Sequence, residues 1–311
     1  MRTVIVGSFG GPEVLEVADV PVPAPGPGQV RIRVAAAAVQ PVDLHTRSGG
    51  LAQAGLMPAR EVIGLGWDVA GTIDDIGSGV TEFAIGDAVF GLSDRLDVAL
   101  GTHADQVILD SSAVALAPRT VSAIEAATVP LNALTAAQSL DLLGLAPGAT
   151  VLITGAAGAV GGYAVELAVA QGIRVVATAG SADADAVRKL GAEFFVPRGE
   201  RLGDAVRELV PGGVDGALDA AVLGVEALDA VRSSGAFTAL VGGAEPAALR
   251  GIRVANTWIR ADGRRLAELA ALVDAGRLTP RVAETFPLDR AADAHRLLAA
   301  GQLRGRPVLI P

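Results

Sequence analysis

The feature that most narrows the folding options is a run of small residues set between an apolar strand and a helix. The segment ATVLITG reads as a buried strand, Gly155-Ala156-Ala157-Gly158-Ala159-Val160-Gly161-Gly162 follows at once, and YAVELAVAQG continues as a helix. Such residues let the chain turn sharply, let Gly158 bring main chain close to a ligand, and let the helix pack at Gly161 against the strand it leaves. The helix start then offers N–H groups to an anion, so Gly155 to Gly161 is expected to cradle the pyrophosphate of a dinucleotide. In the usual G-x-G-x-x-G spacing the first glycine falls on Ala156.

The surroundings of this turn set the architecture. From about Val121 the chain alternates between helical and apolar extended segments: SAIEAATVPLNALTAAQSLDLLGL as helix, RVVATAG as strand, ADADAVRKLGA as helix, GVDGALDAA as strand, VEALDAVRSSG as helix and FTALVGG as strand. Strands alternating with helices build right-handed βαβ units and a doubly wound parallel sheet. Before Pro118 the apolar runs TVIV, QVRIRVAAAAV, VAGTIDDIG, DAVFGL and ADQVILD are short, valine-rich and separated by Gly, Pro or Asp. That pattern predicts a largely antiparallel, barrel-like domain, with Asp74 and Asp75 in a turn between strands. The last fifty residues, with helices DGRRLAELAALVDAGRL and AADAHRLLAAGQL and a final strand RPVLIP, have no core of their own and are expected to dock on the first domain. The expected division is 1–118 with 262–311 for one domain and 119–261 for the other.

Composition removes several functions. A net charge of −9 argues against nucleic-acid binding, which relies on clustered Lys and Arg. No apolar run reaches the roughly 20 residues of a spanning helix, and the first residues alternate like a strand, so a cytoplasmic protein with no membrane partner is expected. Cysteine is absent, which excludes disulfides, thiolate metal sites and a cysteine nucleophile, and the three histidines His45, His103 and His295 are too few for a plausible catalytic zinc. No metal is expected. Tyr163, the only tyrosine, has Leu167 where a short-chain dehydrogenase needs a lysine.

An NAD-specific site usually carries Asp or Glu at the end of the second strand. Here that strand ends in Thr178-Ala179-Gly180-Ser181, so Ser181 with Arg198 is expected to hold a 2′-phosphate and NADP(H) is favoured. Asp183 and Asp185 nearby argue the other way and keep NAD(H) as the alternative.

The order of GQVRIRVAAAAVQPVD, GWDVAGTIDDIGSGVTEFAIGDAVFG, ATVPLNALTAAQSL, TVLITGAAGAVGGYAVELA and LGAE resembles the medium-chain dehydrogenase/reductase family across essentially the whole chain, and within it the zinc-free quinone oxidoreductases. Gln40 and Gly66-Trp67-Asp68 stand where the zinc alcohol dehydrogenases place a cysteine and a Gly-His-Glu segment. The resemblance implies an α/β protein with a GroES-like β-barrel catalytic domain and a Rossmann nucleotide-binding domain. It also implies hydride transfer from NADPH to a small-molecule quinone or other conjugated carbonyl, without metal or flavin.

Gln40 to Gly49 resembles the family's Asn-x-x-Asp-x-x-x-Arg-x-Gly, which lines the nicotinamide site, with Gln40 replacing Asn and His45 standing where some members carry tyrosine. Gln40, Asp43 and His45 are the catalytic candidates. Thr135, in the Leu-Thr-Ala helix segment, is a candidate nicotinamide contact, and Asn132 and His103 candidates to line the substrate pocket. Trp67 and Trp258 are expected in the core or a dimer contact. The resemblance further implies a homodimer formed edge to edge through FTALVGG. Two readings stay beside the leading one: an enoyl-thioester reductase of the same fold, and a redox sensor that binds NADP(H) without turnover.

Overall fold

The computed structural model describes residues 1–58 and 60–311. The chain divides into two compact units, Met1–Leu131 with Arg260–Pro311, and Asn132–Ile259. The first contains β1 (Arg2–Val6), β2 (Leu15–Asp19), β3 (Gln29–Ala38), α1 (Pro41–Arg47), α2 (Gly50–Gln53), β4 (Ile63–Gly64), β5 (Asp68–Ile76), β6 (Ala88–Leu92), β7 (Gln106–Asp110), β8 (Val114–Leu116) and α3 (Ala123–Ala126). Helix α4 (Pro130–Leu143) leads into the second unit, built from β9 (Thr150–Thr154), α5 (Ala159–Ala170), β10 (Arg174–Ala179), α6 (Ala184–Lys189), β11 (Phe194–Pro197), α7 (Leu202–Leu209), β12 (Val214–Asp219), α8 (Val225–Asp229), β13 (Val231–Ala239) and β14 (Arg253–Asn256). The chain then returns to the first unit as α9 (Gly263–Asp274), β15 (Val282–Pro287), α10 (Ala291–Ala300) and β16 (Arg306–Ile310).

Strand β3 organises the first unit because its side chains alternate. Val30, Ile32 and Val34 face the core while Arg33 and Ala35 face outward, and from Ala36 to Ala38 burial becomes continuous. The continuous stretch is where the terminal strand arrives: β16 pairs antiparallel with β3, Val308 opposite Ala38 and Leu309 opposite Ala37. Strands β5 and β7 take further hydrogen bonds of β3, and Val30, Ile32, Val69, Ile73, Val89 and Val107 pack as one core. A second cluster, including Val4, Leu65, Phe286, Leu288 and Leu309, seats the returning tail.

The second unit has a six-stranded sheet in the order β11-β10-β9-β12-β13-β14, and every neighbouring pair is parallel. The first strand in sequence, β9, lies in the middle and is buried throughout; the chain winds outward to β11 and then crosses back to β12. The order reverses between β9 and β12, the place where doubly wound sheets take their ligands. Leu152, Val176, Val206, Val214, Leu228 and Phe237 belong to its core.

Four expectations need correction. The helix expected across positions 122–145 is two helices, because Pro130 has no N–H to continue the first and begins α4 instead. The segment VRSSG is strand, not helix: α8 ends at Asp229, and Val231 already pairs with Val214, so sheet pairing overrides local preference around Ser234, whose φ is 60°. FTALVGG is not a sheet edge, since β13 is flanked by β12 and β14 and both its hydrogen-bonding sides are used. Asp74 and Asp75 lie within β5, where Arg31 Nε donates to Asp74 at 2.8 Å, rather than in a turn. Among the described residues no helix is long and apolar enough to cross a membrane.

Phe237, 1% exposed at the centre of the second unit's core, gives a direct test of this packing. Phe237→Ala is expected to lower the unfolding free energy by roughly 3–5 kcal/mol, read from urea midpoints. A loss below about 1 kcal/mol would remove β13 from the core.

Candidate active site

In the first unit the catalytic candidates sit where β3 gives way to α1. Gln40 precedes Pro41, which biases it to extended backbone, and its φ of −117° and ψ of 157° comply. Asp43, in the first turn of α1, accepts from Gln40 N at 2.7 Å and from Gly66 N at 2.9 Å, so its carboxylate ties the helix start to the residues before β5. The Gln40 amide is held at both ends: Nε2 donates to Asp68 Oδ2 at 2.5 Å, and Oε1 accepts from Arg306 Nε at 2.7 Å. Asp68 Oδ1 accepts from Leu131 N at 2.6 Å, at the start of α4. Gln40, Asp43 and Asp68 are completely buried.

Burial governs the electrostatics. It raises the Asp68 carboxyl to about 7, against the pull of the Leu131 and Gln40 hydrogen bonds, and Asp43 adds to the rise. Burial likewise raises Asp43, opposed chiefly by His103. His103 and His295, both inaccessible to solvent, lie with ring centroids 6.3 Å apart. His103 Nε2 faces Ala38 O at 3.1 Å, so that nitrogen carries the proton; Arg47 Nη1 donates to His295 Nδ1 at 3.1 Å, so the proton of neutral His295 sits on Nε2. Burial, reinforced by His103 and Arg47, pushes His295 down to about 3.

His45 is not part of this cluster. Asp43, Thr46 and Arg47 form the buried side of α1, and His45, two positions from Asp43, is exposed on the other side with its ring against Gly50. His103 is buried between Asp43 and His295. A small cavity of about 30 Å³ opens beside Asp43, walled in part by Met57, Ile63, Trp67, Leu96 and Val98. Among the described residues no group of three or more His, Cys, Asp or Glu side chains is placed to hold a metal ion.

In the second unit the glycine turn is tight and packs close to the helix that follows it. Gly155 has φ 61°, in the left-handed region, and its carbonyl accepts from Gly158 N at 2.9 Å. A Cβ at Gly161 would lie 2.2 Å from Gly155 O, so only glycine lets α5 pass this close to the turn. Gly158 caps α5 with no side-chain bond, which leaves the first N–H groups of the helix, around Ala159 and Val160, for an external acceptor. Ala156 is buried, its N–H bound to Thr178 O at 3.1 Å, and Ala157 is partly open.

Ser181 and Arg198 follow the ends of the neighbouring strands β10 and β11. Ala179 pairs with Pro197, and Arg198 N donates to Ala179 O at 2.8 Å, so the ends of β10 and β11 lie side by side with both side chains exposed. Thr135 and Asn132 are buried in α4, and Thr135 O accepts from Ser139 Oγ at 2.6 Å. Tyr163 is completely buried in α5, whereas Trp258 is 66% exposed and so outside the core.

Sequence reasoning missed several members of these clusters. Asp68 was read only as a departure from a zinc motif, yet it is the residue through which Gln40 and α4 meet. Arg306 and His295 lie in the tail and carried no signal. Beside the glycine turn, Thr154 Oγ1 donates to buried Asp219 at 2.6 Å, and Asp219 also accepts from Leu223 N and Gly224 N. Two polar residues ending neighbouring strands were the only hint of that clamp.

Residues 26–119 match the family described as alcohol dehydrogenase GroES-like domain, and residues 190–309 the family described as zinc-binding dehydrogenase. The chain is 29% identical to the NADPH-dependent alkenal/one oxidoreductase, chloroplastic, of Arabidopsis thaliana, over 100% of this chain and 80% of that protein. It is 29% identical to the quinone oxidoreductase of Homo sapiens, over 100% and 98% of the two chains. Among solved structures, an NAD-dependent alcohol dehydrogenase superimposes with a TM-score of 0.89 at 33% identity, covering 100% of both chains.

The pH dependence of stability separates the two perturbed groups. Neutral His295 contributes stability that is complete above about pH 6.5 and is lost toward pH 3, because the unfolded chain binds a proton there that the native state refuses. Asp68 acts oppositely: its contribution is complete below about pH 4 and is lost as the pH rises through 7, since the native carboxyl keeps a proton the unfolded chain has released. Each slope approaches about 1.4 kcal/mol per pH unit. In urea unfolding between about pH 4 and 7, His295→Gln should retain more of its neutral-pH stability in acid than the parent, and Asp68→Asn less. Curves parallel to the parent's would refute both shifts.

Proposed function

This chain belongs to the medium-chain dehydrogenase/reductase family of oxidoreductases, which bind a nicotinamide cofactor, and we propose that it transfers hydride from NADPH to a quinone or another conjugated carbonyl without a metal. The observation that carries the cofactor part is the glycine turn, where a Cβ at Gly161 would collide with Gly155 O and the first turn of α5 is left uncapped. Gly155 to Gly161 bind the pyrophosphate, Ser181 and Arg198 the 2′-phosphate, and Thr135 contacts the nicotinamide end. When bound, NADPH supplies the hydride.

Residues 1–118 with 262–311, which lie within the first unit, are proposed as the catalytic domain, and 119–261 as the nucleotide-binding domain. Gln40 and Asp43 act as positioning residues, because both are buried and their polar atoms are engaged within the protein. His45 is the exposed one of the three catalytic candidates, and we assign it the relay of a proton to the reduced acceptor's oxygen. The absence of cysteine and of a ligand cluster among the described residues supports chemistry without zinc. The reading includes a cytoplasmic homodimer; the outer strands of the second unit's sheet are β11 and β14.

The test follows NADPH and NADH binding by fluorescence and their oxidation by quinones, enones and enoyl thioesters, with chelator throughout. Tight NADPH binding with quinone or enone turnover is expected; turnover that needs zinc, or none with any acceptor, would overturn the reading. Gly161→Val should weaken NADPH binding at least tenfold with unchanged circular dichroism. Arg198→Ala should cut the preference for NADPH over NADH roughly tenfold, the weight of one charge-assisted contact. His45→Gln should lower kcat by roughly a hundredfold with little change in KM. An unchanged kcat would assign the proton to water.

A further inference from the structure

The segment that follows β12 adopts a conformation that its own packing does not explain. Val222 has φ 57°, in the left-handed region that a β-branched residue rarely enters, and it is 52% exposed. Burial therefore does little to offset the strain. Ala221 beside it is exposed as well, and Val225, the first residue of α8, is 62% exposed, so the loop presents an apolar crest.

Two buried side chains at the ends of neighbouring strands hold this crest. Thr154 and Asp219 are register partners in β9 and β12. The Thr154 hydroxyl donates to Asp219 Oδ1 at 2.6 Å and accepts from Ala221 N at 2.9 Å, so its donor and an acceptor position are both engaged. The Asp219 carboxylate also accepts from Leu223 N at 3.1 Å and from Gly224 N at 2.7 Å. The amides on either side of Val222 are thus anchored to the strand ends, and Val222 is the residue between them.

The place of the crest in the sheet gives it a use. The strand order reverses between β9 and β12, and doubly wound sheets take their ligands outside the carboxyl ends of the strands at such a reversal. The loop also abuts the glycine turn, since a Cβ on Gly155 would lie 3.3 Å from the Ala220 carbonyl and 3.4 Å from Ala221 Cβ. Strain kept beside a ligand crevice is a form of pre-organisation, because a loop already in its bound shape loses less entropy on binding.

We infer that Thr154 and Asp219 are positioning residues for the cofactor: their shared hydrogen bonds hold Val222 in its left-handed conformation, so that its apolar side chain packs on the dinucleotide bound at the glycine turn. The inference rests on the proposed reading of Gly155 to Gly161 as a dinucleotide site and adds a second wall to it.

The test uses the full-length protein and NADPH itself, with Kd from fluorescence titration and folding from thermal melting. Val222→Gly relieves the strain and removes the apolar contact. Its melting temperature should stay within about 3 °C of the parent's, because relief of the left-handed penalty offsets the added freedom of the unfolded chain. Its Kd for NADPH should nonetheless rise roughly tenfold. Thr154→Val keeps the shape of the side chain and removes the hydroxyl; it should weaken NADPH by a similar factor, and Thr154→Ser, which restores the hydroxyl, should return the Kd to within about twofold of the parent. In each weakened variant KM for NADPH should follow Kd while kcat changes far less, the pattern of a lost ground-state contact. A Val222→Gly protein that binds NADPH as tightly as the parent overturns the inference, whatever Thr154→Val does, and leaves the cofactor reading intact. Thr154→Ser as weak as Thr154→Val also overturns it, since the loss then follows from packing and not from the hydroxyl. If Thr154→Val does not fold, Val222→Gly decides alone. A parent protein that binds neither NADPH nor NADH removes the cofactor reading and the inference with it.

Discussion

The first unit depends on one chain of hydrogen bonds running from part-buried Arg306 through buried Gln40 and Asp68 to Leu131. It joins the terminal strand, the start of α1, the start of β5 and the first turn of α4, four places far apart in sequence. A buried carboxylate left without partners would cost several kcal/mol, so removing any member strands the next one. The neutral amide of Gln40 suits this position because it both donates and accepts; it faces a carboxylate on one side and a guanidinium on the other without adding charge. The same reasoning explains why Asp43, nearby and equally buried, takes two backbone N–H groups rather than a cation.

A comparable device steadies the nucleotide turn. Thr154 and Asp219 end the two strands that flank the switch point, and their mutual bond lets one carboxylate hold the segment after β12. Ala221 N in turn donates to Thr154 Oγ1 at 2.9 Å. Two loops are thus fastened to rigid strands. A site that binds by backbone N–H groups works only if the backbone is already in place.

How much of this was legible from the residues varies with the range of the cause. The glycine turn, the strand before it and the helix after it were readable because their signal is local: small residues at fixed spacing and an apolar run on either side. The alternation of Val30, Ile32 and Val34 marked β3 in the same way. The failures came where pairing across the sheet overrode local preference. Val231 to Gly235 look like the end of a helix until Val214 is placed opposite them, and Asp74 looks like a turn residue until Arg31 supplies its partner on the next strand.

Among the site residues, Gln40 and Asp43 were identified from their place in a motif, but what they do was not visible there, since Asp68 and Arg306 lie 28 and 266 positions from Gln40. His45 and His295 show the difference most plainly. Both are histidines on helices, yet one is exposed and the other is buried beside a guanidinium and driven neutral. The sequence by itself determined the parallel nucleotide sheet, its glycine turn and the absence of any thiolate chemistry, because these follow from residue size, spacing and composition. Only the tertiary structure decided which polar groups are buried, which are paired, and which face open space, because desolvation and hydrogen bonding depend on neighbours that the linear order does not bring together.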